Sequence, residues 1–272
     1  MDRIMGQPFL HSVNGTRLNV QLDGPAGAPW MVFSNSLSAN ISLWDEQAAA
    51  FGDRFRFLRY DQRGHGRSEV PAAGFTMDDL ATDLLGLLDD FAVNNAVLVG
   101  VSMGATTVMR CAARAPERCA GVVACDGQWR SAPGSAAMWN ERFAVAREQG
   151  MEALAEPTVR RWFQPGFFTR KPEVVERIKK MIAGTSVEGY IQCGTALQDF
   201  DFRADYPGLT VPALFVAGEH DGDIPAVMRE MHQATRGSGY TVIGHCGHLP
   251  NIEQPEKLYE AMDGFVRTLG LG

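Results

Sequence analysis

The pentapeptide Gly100-Val101-Ser102-Met103-Gly104 places a serine between two glycines, at the end of a short apolar run. The run 96–100 is typical of a buried strand and residues 103–114 of a helix, so the serine would lie on the tight turn between them. A side chain in place of either glycine would collide across that turn. The turn exposes the serine hydroxyl and leaves the Met103 amide at a helix N-terminus, where it can donate to an oxyanion. The pattern predicts Ser102 as the nucleophile of an acyl transfer.

A histidine must lie within hydrogen-bond reach of such a serine, because the hydroxyl is a weak nucleophile without a base. Chains with a serine on this turn carry the acid and then the histidine further along the sequence. The histidines after the serine are His220, His232, His245 and His248. His232 lies on a predicted helix, where a surface or packing role is expected. His248 is favoured over His245 because it follows a glycine and precedes a helix start; the role of His245 stays open.

The acid is expected on the turn after the predicted strand 212–217, which precedes the strand and loop that carry the histidine. Asp221 and Asp223 both lie on this turn. Asp223 suits the start of the helix that follows, which leaves Asp221 to orient the imidazole and stabilise its cation. Asp126, directly after the predicted strand 121–125, is a rival that could reach the same histidine from another strand end.

The elements that must position these residues alternate between apolar runs and helical periodicity. Strands are predicted over 16–23, 30–34, 56–60, 96–100, 121–125, 212–217 and 239–243, and helices over 75–91, 103–114, 224–235 and 255–269. Thr76 is the expected N-cap of the first of these helices. The alternation favours an α/β fold with a mostly parallel central sheet flanked by helices. Helical periodicity and aromatic residues dominate from 126 to 206, so we expect a core domain at 1–126 and 207–272 and a helical cap insertion at 127–206.

Composition limits the partners that the chain can have. Of its 272 residues, 45% are hydrophobic and 21% are charged, and the formal net charge of −7 argues against nucleic-acid and membrane partners. Neither a signal-peptide pattern nor an apolar run of about 20 residues occurs, so a cytoplasmic protein is expected. Five irregularly spaced cysteines are expected to be reduced thiols. The histidine spacing lacks metal-binding patterns, so neither a metal nor a cofactor is expected.

Taken together, these motifs resemble the α/β-hydrolase superfamily over nearly the whole chain. The segment 61–68, Asp-Gln-Arg-Gly-His-Gly-Arg-Ser, resembles the D-x-R-G-x-G-x-S loop of that superfamily. The spacings from Gly218 through Asp221 to Pro225, and from Gly247 through His248 to Glu253, resemble its acid and histidine signatures. The resemblance implies the α/β-hydrolase fold and a Ser-His-Asp triad made of Ser102, His248 and Asp221.

A narrower resemblance is to the 3-oxoadipate enol-lactonases of aromatic-acid catabolism. It rests on the stretch Ser34-Asn35-Ser36-Leu37 and on the segments 58–68, 150–155, 161–163, 188–190 and 251–253. By this resemblance, the Leu37 amide would be the second oxyanion donor beside Met103. The implied substrate is a small lactone or ester, attacked with water and without a cofactor. The acid turn at 221–224 is more acidic than in such lactonases, which predicts repulsion of an anionic substrate.

An enol-lactone with a carboxylate arm needs a cation in the pocket. Arg130 follows the predicted strand that ends at Cys125 and opens the insertion, so we predict that it binds this arm and that Trp129 packs on the ring. Within hydrolases, the alternatives are a carboxylesterase, an acyl-lactone hydrolase or a cyclic-amide hydrolase. Outside that class, the alternatives are a cofactor-free oxygenase or perhydrolase and a non-catalytic ligand receptor. The oligomeric state stays open.

Overall fold

The centre of the molecule is an eight-stranded sheet, seen in a computed structural model that describes residues 6–271. Its strand order is β1-β2-β4-β3-β5-β6-β7-β8. The strands are β1 Phe9–Val13, β2 Thr16–Asp23, β3 Trp30–Ser34, β4 Arg56–Tyr60, β5 Ala96–Val101, β6 Cys119–Cys125, β7 Ala213–Gly218 and β8 Gly239–Ile243. All strands from β3 to β8 pair in parallel, whereas β2 is antiparallel to both β1 and β4. The α/β prediction with a mostly parallel sheet is therefore confirmed.

Helices cover both faces of the sheet. They are α1 Asp45–Ala50, α2 Met77–Asp90, α3 Met103–Arg114, α4 Ala136–Gln149, α5 Glu152–Trp162, α6 Pro165–Arg170, α7 Pro172–Ala183, α8 Val187–Gln198, α9 Ile224–Ala234, α10 Pro250–Glu253 and α11 Pro255–Thr268. Thr76 caps α2 as predicted, in a reciprocal capping box with Asp79. In the described part of the chain, no helix has the length and apolar character that a membrane span needs.

The core divides into two layers because successive strand side chains point to opposite faces. In β5, Val97 and Val99 pack with α1, α11 and the helices α4 to α8. Leu98 points the other way and packs with α2, α3 and α9. The carboxyl ends of the parallel strands meet at one edge between these layers, where an open α/β sheet binds its ligands.

The segment between β6 and β7 holds the five helices α4 to α8, in agreement with the helical pattern of the sequence. Its aromatic residues are mostly buried, and those of α4 to α6 join the same apolar cluster as the sheet face. An isolated bridge between Arg130 and Asp201 joins the start of the segment to its end. The division into a core domain and a cap domain stays a prediction.

Candidate active site

Ser102 lies on a strained turn between β5 and α3. Its backbone angles, φ 58° and ψ −120°, fall in a region that residues other than glycine rarely adopt. The Ser102 amide donates to the carbonyl of Cys125 at 2.8 Å, which fixes the turn to the end of β6. A Cβ on Gly100 would lie 2.2 Å from the Gly104 carbonyl oxygen, and one on Gly104 would lie 2.1 Å from that of Ser34. Only glycine fits at both positions, as the sequence predicts.

His248 and Asp221 form a close pair on the loops that follow β8 and β7. Nδ1 of His248 lies 2.7 Å from Oδ2 of Asp221, and both side chains are largely buried. The His248 amide donates to the Trp162 carbonyl at 2.7 Å, and the two rings stack with their centroids 5.8 Å apart. Since Nδ1 is taken by the carboxylate, Nε2 is the ring atom left to exchange a proton with a hydroxyl.

The charge of Asp221 is stabilised by its partner. Burial raises the pKa of this carboxyl, but the His248 imidazole, through charge and hydrogen bond, holds it below the ordinary value. Asp126, the rival acid, does not take that position. Its Oδ1 accepts a hydrogen bond from the Gly218 amide at 2.8 Å, so it bonds the strand end that precedes the acid turn. The exposed residue Asp223 adjoins the first turn of α9.

A cavity of about 140 Å³ lies at this edge of the sheet, and Ser102 and His248 both line it. Leu37 and Met103, the predicted oxyanion donors, line the same cavity. Met103 is the first residue of α3, where helix amides have no partner within the helix. The remaining wall comes mainly from the segment between β6 and β7. It includes Ala132, Ser135, Met138, Trp139, Arg161, Trp162, Leu197 and Phe200.

The loop that carries Leu37 is held by buried polar groups at the ends of β3 and β4. Asn35 donates to the Tyr60 carbonyl at 2.7 Å. The Asp61 carboxylate accepts from the Ile41 amide at 2.7 Å and from the Arg67 amide at 2.9 Å. The segment 61–68 therefore serves as a support for the loop after β3, which explains a buried aspartate at its head.

Trp129 and Arg130 do not lie where the sequence analysis predicts, because neither lines the cavity. The Trp129 ring packs edge-on against Tyr206, with centroids 5.4 Å apart. Arg130 pairs with Asp201 in the bridge noted above and contributes, after Arg203, to holding the pKa of that carboxyl at about 2. A position after a strand end does not fix the direction of a side chain, and here the chain turns away from the cavity.

Arg161 is the arginine that lines the cavity. It belongs to the segment 161–163, which resembles the lactonases. The sequence therefore marks this residue but does not indicate what it binds. The residue is exposed to solvent. Desolvation by the surrounding protein is the largest cause that lowers the pKa of Arg161, and the nearby Arg142 charge is the next. The pKa falls to about 10, so Arg161 remains a cation at neutral pH. None of the ion pairs found in residues 6–271 involves Arg161 or Arg142.

A group of side chains outside the cavity has the chemistry to hold a metal ion. Glu219, His220 and His245 offer ligand atoms within 4.8 Å of one another, and all three residues are exposed. They lie on the loops that carry Asp221 and His248, but none of them lines the cavity. The site around Ser102 is therefore built without them.

Comparisons with known proteins bear on the fold and on the family. A family model for the alpha/beta hydrolase fold matches residues 29–255. Two curated relatives from Acinetobacter baylyi are named 3-oxoadipate enol-lactonase 2 and 1. They are 33% and 31% identical, over 92% and 96% of this chain and 93% and 98% of their own lengths. The crystal structure of the enol-lactonase from Burkholderia xenovorans is 37% identical, with a TM-score of 0.91 over 95% of this chain and 100% of that one. The chain belongs to the α/β-hydrolase family.

Proposed function

We propose that the chain hydrolyses a small lactone that carries a carboxylate, an enol-lactone of the 3-oxoadipate kind from aromatic-acid catabolism, through an acyl-enzyme on Ser102. The coarser part of this statement, a hydrolase of ester or lactone bonds, follows from the family and its named relatives. The observation that carries the finer part is one cavity lined by Ser102, by His248 and by the unpaired cation Arg161.

In the proposed reaction, Ser102 Oγ attacks the lactone carbonyl while Nε2 of His248 takes its proton. The amides of Leu37 and Met103 donate to the oxygen that becomes negative, which is the largest single contribution in many acyl transfers. The ring oxygen leaves as an enol after His248 returns the proton to it. His248 then activates water, which attacks the acyl-serine and releases a carboxylate. The enol becomes a ketone, so the ring opening does not reverse.

Arg161 supports a substrate with a carboxylate arm. Arg161 is exposed and forms no ion pair within residues 6–271, so its guanidinium is free to bind a carboxylate that enters the cavity. Arg142, close enough to lower the pKa of Arg161, adds a second positive charge. The acidic turn at 221–224 opposes this less than its composition predicts, because Asp221 is paired with His248 and Asp223 does not line the cavity.

The test combines labelling with substrate choice. A fluorophosphonate probe is expected to add its mass to Ser102 in the wild type and not in Ser102→Ala. Hydrolysis of the enol-lactone is expected to exceed that of p-nitrophenyl acetate, whose acyl group is neutral. Absence of labelling would favour an oxygenase or a receptor, while labelling with turnover of the neutral ester alone would favour a carboxylesterase.

A further inference from the structure

Asp126 lines the cavity, and the proposed mechanism does not use its buried carboxyl. It follows β6 with φ 46°, and only 1% of it is exposed. Its amide donates to the Val216 carbonyl at 2.9 Å, and its Oδ1 accepts from the Gly218 amide at 2.8 Å. Its Oδ2 is buried and finds no donor in the described part of the chain. A buried carboxylate oxygen without a donor is costly, so this atom needs an explanation.

The group that faces Asp126 is the carboxyl of Asp221, which lies within hydrogen-bond reach. Two buried carboxyl groups within hydrogen-bond reach of each other do not both ionise, so one of them keeps a proton. Asp221 has the imidazole of His248 on its other side and lies in the field of Arg161. Asp126 has one backbone amide and two neighbouring thiols, those of Cys125 and Cys246.

These surroundings decide where the proton resides. Burial raises the pKa of Asp126 well above that of an ordinary aspartate, and the charge of Asp221 raises it further. The pKa of Asp221 moves the other way because of the imidazole. The negative charge therefore belongs to the residue that contacts the base, and the proton belongs to the residue behind it.

We propose that Asp126 is a neutral carboxylic acid that donates a hydrogen bond to the Asp221 carboxylate and so positions it for His248. Asp221 is then held between two donors, the hydroxyl of Asp126 and the Nδ1–H of His248. Through Gly218, the same side chain fixes the end of β7, three residues before Asp221. Asp126 is a positioning residue under this proposal, which rests on the triad of the proposed function.

Two substitutions separate the neutral acid from an ionised one. Asp126→Asn keeps an oxygen for the Gly218 amide, offers an N–H to Asp221, and suits a positive φ as well as aspartate does. It is expected to keep kcat/KM within about threefold and to leave the acidic limb of the pH profile in place. Asp126→Ala loses both contacts and is expected to lower kcat by about 10²-fold through misplacement of Asp221.

An infrared measurement tests the proton without any substrate. The wild type at neutral pH is expected to show the C=O band of a buried protonated carboxyl, and Asp126→Asn is expected to remove it. Absence of that band would overturn the proposal even if the enzyme proves to be a lactonase. A shift of the acidic limb to lower pH in Asp126→Asn would also overturn it, because it would mean that a negative charge had been removed. Full activity of Asp126→Ala would end the positioning role.

Discussion

At the scale of single residues, the reactivity proposed for Ser102 depends on the charge of Asp221, which acts on it through His248. In the proposed mechanism, Ser102 needs a base, and the base needs Asp221 to present Nε2 and to stabilise the imidazolium that forms. The 2.7 Å contact between Asp221 and His248 supplies both effects.

Asp221→Asn is therefore expected to keep the fold and to lower kcat by about 10⁴-fold, because an amide no longer favours the correct tautomer or the cation. The measurement is steady-state kinetics on the enol-lactone, beside circular dichroism to verify folding. Asp223→Asn is the matched comparison, since Asp223 lies on the same turn, is exposed and does not line the cavity. A loss of similar size in both variants would mean that the turn as a whole is sensitive, and Asp221 would lose its assigned role.

Arg161→Gln is expected to separate charged from neutral substrates. Losing a charged hydrogen-bond partner costs about 1.5–3 kcal/mol, so kcat/KM for the carboxylated lactone should fall about 10- to 150-fold. For p-nitrophenyl acetate it should change by less than about twofold, since that ester has no anion to bind. Arg130→Gln tests the position that the sequence favoured and should affect neither substrate. Equal losses on both substrates in Arg161→Gln would argue against a carboxylate subsite.

The predicted residues that the structure brings together are those whose positions follow from local geometry. Ser102 requires two glycines that only a tight turn explains, and His248 and Asp221 lie on turns that follow predicted strands. Arg161 could not be located in this way, because its role depends on where α5 lies over the sheet edge. That placement is set by tertiary contacts, such as the one from the Trp162 carbonyl to His248, and no spacing in the sequence encodes it.

At the scale of elements, the contacts that join the helical segment to the sheet layer include a shared carboxylate and a close backbone approach. The buried Glu253 carboxylate accepts from the Gly247 amide at 2.7 Å and from the Gln164 amide at 2.9 Å, so it links the histidine loop to the start of α6. On the other side, a Cβ on Gly189 in α8 would lie 2.0 Å from the Gly64 carbonyl oxygen. At this point α8 packs on the segment 61–68 backbone against backbone.

Gly189→Ala is therefore expected to lower the free energy of unfolding by about 1–3 kcal/mol, the usual cost of overpacking. The midpoint of urea unfolding measures it. Gly264→Ala is the control, because Gly264 also lies in a helix but nothing surrounds its Cβ position. There alanine should be neutral or stabilising by up to about 1 kcal/mol. A neutral Gly189→Ala would mean that the contact between α8 and the segment 61–68 gives way without cost.

Element prediction placed the buried strands well and missed one strand at the edge of the sheet. Strands β3 to β7 are almost entirely buried, and their predicted bounds differ from the observed ones by at most two residues. Strand β1 was not predicted, because it lies at the sheet edge with Phe9 and Leu10 exposed. Its pairing with β2 depends on backbone hydrogen bonds, and these leave no hydrophobic alternation in the sequence.

At the scale of the whole molecule, buried ionisable groups couple the site to the stability of the fold. Asp126 and Asp221 shift in opposite directions, so they act on stability in opposite pH ranges. The lowered pKa of Asp221 adds stability at pH values above the pKa of an aspartate in the unfolded chain, about 4. This stability is lost as the pH falls toward the pKa of Asp221 in the folded protein. The raised pKa of Asp126 adds stability that is fully present below the pKa of Asp126 in the unfolded chain. This stability is lost as the pH rises toward the pKa of Asp126 in the folded protein.

Comparison of the wild type with Asp126→Asn isolates the second effect. Between about pH 4 and the folded pKa of Asp126, the folded wild type binds one more proton at this position than the unfolded chain does. Its free energy of unfolding should fall relative to that of the variant by up to about 1.4 kcal/mol for each pH unit in this interval. Urea unfolding of both proteins from pH 4.5 to 8 measures the difference, and groups common to both cancel. A difference that stays constant with pH would mean that Asp126 titrates in the folded protein as it does in the unfolded chain, and the buried proton would not exist.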